Sequence, residues 1–228
     1  QILTVEHIAK ESMSSIPTIM AEQHGSQCGF CTPGFVMSLV GLQWLTDSGK
    51  LQSRSVDRIN INEHLAGNLC RCTGYGPIIS AAEKACALPL SESWHKQAVN
   101  AEKLLTKWQN QRQPVFSTDG GNMFAAPKSK SDLASILSEY SGATMVAGAT
   151  DIGLWITKLG RELSEIIYLG QVSELQRIVT KKDVGLEIGA SVSLQDAAAA
   201  LSRIAPDFDR LVRRFGSRPV SYTHLTLP

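Results

Sequence analysis

Three absences narrow what this 228-residue chain can be. No apolar run approaches the roughly 18 residues of a membrane span, and the N-terminus lacks the charged stretch and apolar core of an export signal. Neither sign of charge dominates: 22 Lys and Arg stand against 21 Asp and Glu, spread along the chain, for a formal charge of +1. No basic stripe therefore recommends nucleic acid, and no acidic tail suggests a solvating arm. A disulfide framework is missing as well, because the five cysteines are an odd number and four of them fall in two tight pairs. The expectation is a cytoplasmic protein with reduced thiols and with neither nucleic acid nor membrane as partner.

The pairs are Cys28 with Cys31 and Cys70 with Cys72, separated by 38 intervening residues. Gly25, Gly29 and Gly34 surround the first and Gly67, Gly74 and Gly76 the second, which allows both loops to turn sharply enough to chelate. Paired thiolates suit a four-thiolate zinc site or a 2Fe-2S cluster, and softness alone does not separate them. Only Arg71 lies between the second pair. So short a spacing strains two thiolates toward one tetrahedral ion, which favours iron–sulfur over zinc and places a disulfide or a purely structural role below both. The fifth cysteine, Cys86, shares a helical face with Ile79 and Ala82 and reads as a buried small hydrophobe.

Along the chain, residues 2–5 read as an apolar strand. Pro33 opens a helix to about residue 46 that is apolar nearly all round and should be buried. Ser55 is the expected N-cap of a second helix, and Pro77 opens a third. Residues 89–121 turn polar and read as a linker with a short helix near 98–108. Strands and helices then alternate. A strand is expected over 123–126, a helix capped by Ser131, a strand over 144–147, a tight loop Gly148–Asp151, a helix over 152–159 and a strand over 165–169. A hairpin turns at 183–185, and Ser193 with Asp196 has the form of a capping box before an alanine-rich helix. The predicted fold class is multidomain α+β: an all-helical bundle over 1–88, a linker over 89–121 and a truncated α/β layer domain over 122–220. Residues 221–228 continue no pattern, and the chain opens on Gln1 rather than Met, so a fragment with a non-native tail is expected.

Gly25, Ser26, Gln27, Cys28, Gly29, Phe30, Cys31, Thr32, Pro33 and Gly34, followed by Gly67, Asn68, Leu69, Cys70, Arg71, Cys72, Thr73, Gly74 and Tyr75, resemble the helical 2Fe-2S domain of the molybdenum hydroxylases. That is the family of xanthine dehydrogenase and aldehyde oxidase. The resemblance covers about residues 1–87 and implies that Cys28, Cys31, Cys70 and Cys72 are the cluster's metal ligands, with Gln27 and Cys72 approaching the pterin of a molybdopterin cofactor. Thr144, Met145, Val146, Ala147, Gly148, Ala149, Thr150, Asp151 and Ile152 are similar to the first loop of the family's FAD domain, where backbone amides approach the pyrophosphate. Phe215 matches an aromatic residue that packs on the flavin ring.

The resemblance implies an electron-relay role during purine hydroxylation. Electrons would pass from molybdopterin on a large partner subunit, through the 2Fe-2S cluster, to FAD and then NAD. No residue here is expected to do the substrate chemistry. The fused order of the two domains points to the xanthine dehydrogenase type more than to carbon monoxide dehydrogenase, with aldehyde oxidase next. A zinc-stapled module that docks a larger subunit is the alternative of another class. The family's upstream plant-type cluster domain does not precede Gln1, and the pattern departs after Arg218. The chain as written is therefore expected to bind FAD poorly.

Overall fold

The computed structural model describes residues 2–49, 56–111, 113–181 and 185–215, without the side chains of 111, 209 and 213–215. The chain divides into two compact units, Gln1–Gln111 and Arg112–Pro228.

The first unit is helical among its described residues. Residues 2–5 do not form a strand: helix α1 spans Val5–Lys10, and the Thr4 hydroxyl accepts the His7 amide at 3.4 Å as its N-cap. No strand is found among the described residues of this unit for it to pair with, and helical spacing lets Ile8 enter the core completely. Helices α2 (Ile16–Glu22), α3 (Thr32–Asp47), α4 (Arg58–His64) and α5 (Gly76–Cys86) follow, with prolines in the first turns of α2, α3 and α5. Asp57 caps α4 by accepting the Asn60 amide at 2.8 Å; Ser55, the expected cap, lies outside the described residues.

One apolar core joins these helices through Ile8, Ile16, Met20, Phe35, Leu39, Ile61, Ile78 and Ala82. Cys86 is buried in it, beside Ile79 and Ala82 on the same face of α5. A polar residue sits at its centre. Gln43 is fully buried on α3, accepts the Ser14 hydroxyl at 2.6 Å, and donates to the carbonyls of Ala85 and Leu88 at 2.9 and 3.0 Å. It thereby ties α3 to the end of α5 and to the segment before α2.

The polar stretch read as a linker holds regular structure. Helix α6 runs over Glu92–Gln111, far beyond 98–108, and the Ser91 hydroxyl accepts the Trp94 amide at 3.2 Å at its start. Trp94 packs into the helical core with Ala98 beside it, so two apolar residues one turn apart anchor an otherwise polar helix. Strand β1 (Val115–Asp119) also falls in that stretch.

In the second unit β1 pairs antiparallel with β2 (Asn122–Ala126), while β2, β4 (Glu165–Tyr168) and β3 (Thr144–Val146) are parallel, in the order β1-β2-β4-β3. Helix α7 (Lys130–Glu139) covers Met123, Ala125 and Ile167 with Leu133, Ile136 and Leu137. Its cap is Ser129, whose hydroxyl accepts the Asp132 amide at 3.0 Å, not Ser131 two residues later. Helix α8 spans only Ile152–Thr157. Two short 3₁₀ turns, Leu169–Gln171 and Ser173–Gln176, lead to an antiparallel hairpin of β5 (Ile178–Lys181) and β6 (Gly185–Ile188). Helix α9 (Leu194–Leu201) starts at the expected capping box: Ser193 accepts the Asp196 amide and donates to its carboxylate at 2.7 Å. Helix α10 (Pro206–Phe215) closes the described chain. The architecture is a helical domain followed by a mixed-sheet α+β domain, as the sequence predicts.

Candidate functional site

Each cysteine loop leads directly into a helix. Cys31 is the residue before α3, and the loop from Cys70 to Tyr75 runs into α5. The unpaired amides of two helix N-termini thus lie at the thiol loops, where negative charge is favoured. Of the six flanking glycines only Gly29 (φ 83°) and Gly74 (φ 65°) take left-handed backbone. Gly25 serves packing instead, because a Cβ there would come 2.8 Å from the Met20 sulfur. Two side-chain contacts set the loops: the Ser26 and Thr32 hydroxyls meet at 2.7 Å across the first, and Ser38 on α3 donates to Asn68 at 3.0 Å before the second.

These constraints bring the four sequence-distant thiols together. Cys28 Sγ and Cys72 Sγ are 3.6 Å apart across the two loops, and Cys31 and Cys70 lie close enough to shift each other's acidity. All four are free thiols. The Phe30 amide, ahead of the contact with Cys72, holds the Cys28 thiol below its ordinary value, and that same contact pushes Cys72 up. Burial followed by the Cys70 contact raises Cys31. The Thr73 hydroxyl, then the Thr73 amide, lower Cys70 to about 7. Donors already aimed at sulfur suit ligated thiolates.

Four thiols gathered from two loops match a donor set for two irons taking two thiolates each. The residues present fit a 2Fe-2S cluster. Gln27 is exposed next to Cys28, and Phe30 and Leu69 project beside the thiols with 94% and 79% of their surface in solvent.

The second candidate site lies at the C-terminal end of β3. Thr144, Met145 and Val146 form the strand, and Ala147, Gly148, Ala149, Thr150 and Asp151 form the loop into Ile152 of α8. Val146 and Ala147 are buried, whereas Met145, Ala149 and Asp151 are exposed. The left-handed position is Ala149 (φ 59°) rather than Gly148, and the Ala149 carbonyl accepts the Gly153 amide at 2.8 Å. The loop opens at the carboxyl ends of parallel strands, where ligands of open α/β sheets bind. Phe215 is the last residue of α10, and its side chain lies outside the described residues.

Sequence reasoning assigned no role to Thr73, Tyr75, Asn68 or Gln43. The first three lay inside the recognised phrases, but their hydrogen bonds depend on tertiary placement. Gln43 had one signal, its position on the apolar face of α3 four residues after Leu39.

Two family models match this chain, one in each unit. The model of a 2Fe-2S binding domain matches residues 4–83, and that of an FAD binding domain in molybdopterin dehydrogenase matches residues 117–223. Aldehyde oxidase 3 of Rattus norvegicus is 30% identical over 89% of this chain and 18% of its own length. Xanthine dehydrogenase of Emericella nidulans is 28% identical over 95% of this chain and 18% of its own length. Nicotinate hydroxylase hnxS of the same organism is 56% identical over a shorter match, 28% of this chain and 5% of its own length. The chain spans less than a fifth of the length of these relatives. With a cluster domain followed by a flavin domain of this kind, the chain belongs to the molybdenum hydroxylase family.

Proposed function

We propose that this chain is the electron-relay portion of a xanthine dehydrogenase-type oxidoreductase. The convergence of four thiols from two loops carries that reading. Cys28, Cys31, Cys70 and Cys72 hold a 2Fe-2S cluster, and the amides opening α3 and α5 stabilise its negative charge. Gln27 and Cys72 lie on the exposed face and meet the pterin of a molybdopterin cofactor carried by a large partner. Phe30 and Leu69 are covered when that partner docks. The backbone of 144–152 holds the FAD pyrophosphate, and Phe215 packs on the flavin ring. When bound, the cluster passes single electrons and the flavin collects two and hands on a hydride, with NAD as acceptor. The setting is cytoplasmic; among the described residues no helix is long and apolar enough to cross a membrane.

Reconstitution with iron and sulfide tests the relay. A brown chain with visible absorption and an EPR signal on one-electron reduction is expected, whereas a colourless, zinc-loaded chain would sink the proposal. The 30% identity to an aldehyde oxidase favours aldehyde oxidation as the second reading. Turnover of xanthine against an aromatic aldehyde by the complete enzyme separates the two.

A further inference from the structure

Cys70 of the second thiol pair and two residues that follow the pair, Thr73 and Tyr75, form a closed hydrogen-bonded circuit. The Cys70 amide donates to the Tyr75 hydroxyl at 3.1 Å, and the Tyr75 amide donates to the Thr73 hydroxyl at 3.2 Å. The Thr73 hydroxyl lies 3.3 Å from Cys70 Sγ, and the Thr73 amide donates to the same sulfur at 3.5 Å. The circuit fixes the direction of its one ambiguous bond. With the Thr73 oxygen accepting from the Tyr75 amide and a metal-bound sulfur carrying no proton, the Thr73 hydroxyl proton is left to point at Cys70 Sγ. Tyr75 in turn is held at a left-handed φ of 68° as the residue before α5, with its ring edge-on to buried Phe35 at 6.3 Å between centroids. The circuit is therefore anchored in the helical core and cannot turn with the loop alone.

We infer that Thr73 sets the reduction potential of the proposed cluster by donating its hydroxyl proton to Cys70 Sγ, and that Tyr75 positions it to do so. This rests on the proposed function. A donor to a ligand sulfur withdraws electron density from the iron it binds, so the added electron is better accommodated and the potential rises. Among the described residues, Cys70 Sγ is the ligand sulfur that meets a side-chain hydroxyl, so the effect falls on one iron.

The test is an EPR-monitored redox titration of the reconstituted chain with dithionite as one-electron reductant. Thr73→Val keeps the cluster but lowers its midpoint potential, Thr73→Ala does the same, and Thr73→Ser restores the wild-type value. Tyr75→Phe keeps the backbone amide that positions the Thr73 hydroxyl, so its midpoint potential stays at the wild-type value. A wild-type potential in Thr73→Val, an equal drop in Thr73→Ser, or loss of the cluster from both Thr73→Val and Thr73→Ala would each overturn the assignment. Failure of the wild-type chain to show any 2Fe-2S signal would instead overturn the proposed function.

Discussion

Cys28 Sγ and Cys72 Sγ lie 3.6 Å apart although 44 positions separate them in sequence. Both are exposed, and the Cys28 thiol is the more acidic of the two. In the metal-free chain, a thiol oxidant such as diamide is expected to link Cys28 to Cys72 in preference to Cys28 with Cys31. Mass-spectrometric mapping of the linked peptides checks this; a dominant Cys28–Cys31 bond would contradict the cross-loop pairing.

Cys70→Ser should abolish the cluster and loosen the helical domain, since ligation closes the long loop between the pairs. Cys86→Ser places a hydroxyl in an apolar site and should cost only packing, about 1–2 kcal/mol, with the visible spectrum unchanged. Equal loss of absorption in both variants would overturn the ligand assignment.

Burial pushes the Cys86 thiol up to about 11. Because the folded value exceeds the unfolded one, the folded state keeps its proton while the unfolded state releases it. The contribution is fully present below about pH 9 and is lost as pH rises through 11, and at two pH units it amounts to about 3 kcal/mol. Denaturation midpoints of wild type and Cys86→Ala should converge as pH rises from 9 to 11. Parallel profiles would show that the thiol does not titrate differently on folding.

Gln43→Leu should destabilise the helical domain by roughly 2 kcal/mol or more, because it takes the acceptor from the buried Ser14 hydroxyl and the side-chain donor from the Leu88 carbonyl, while the Ala85 carbonyl keeps the Leu88 amide. Ser14→Ala removes one partner and should cost about 1 kcal/mol. Urea titrations followed by far-UV circular dichroism compare the two, and equal costs would show that the network is not centred on Gln43.

Ala149 carries left-handed backbone in the loop between β3 and α8. Ala149→Gly should leave stability unchanged or raise it by up to about 1 kcal/mol, since relief of strain offsets the added freedom of the unfolded chain. A clear fall in the melting temperature of the second unit would show that Ala149 is unstrained.

The parts legible in the sequence were those written in local patterns. Pro33 and Pro77 marked helix starts, Ser193 with Asp196 marked a cap, and alternation of elements marked the sheet domain. Local competition misled where two signals lay close together. Ser129 and Ser131 are both good caps, and the choice depends on which turn presents Leu133 and Ile136 to the sheet. The segment 2–5 is apolar enough for a strand but has no partner strand among the described residues of its unit, and α6 is polar enough for a linker until Trp94 finds the core. At the candidate metal centre the four thiols stood out by their pairing and spacing, whereas the cross-loop contact and the circuit through Thr73 and Tyr75 exist only once α3 and α5 are packed.

The strand order of the sheet bears on how the chain must be handled in solution. With β1 and β3 on the outside, each has one side without a strand neighbour among the described residues. Strand β3 has three residues and is too short to template another chain. Strand β1 has five, all exposed, including Val115 and Phe116. Edge-to-edge aggregation is therefore expected to start from β1, and Val115→Lys is the change that would block it away from both candidate sites.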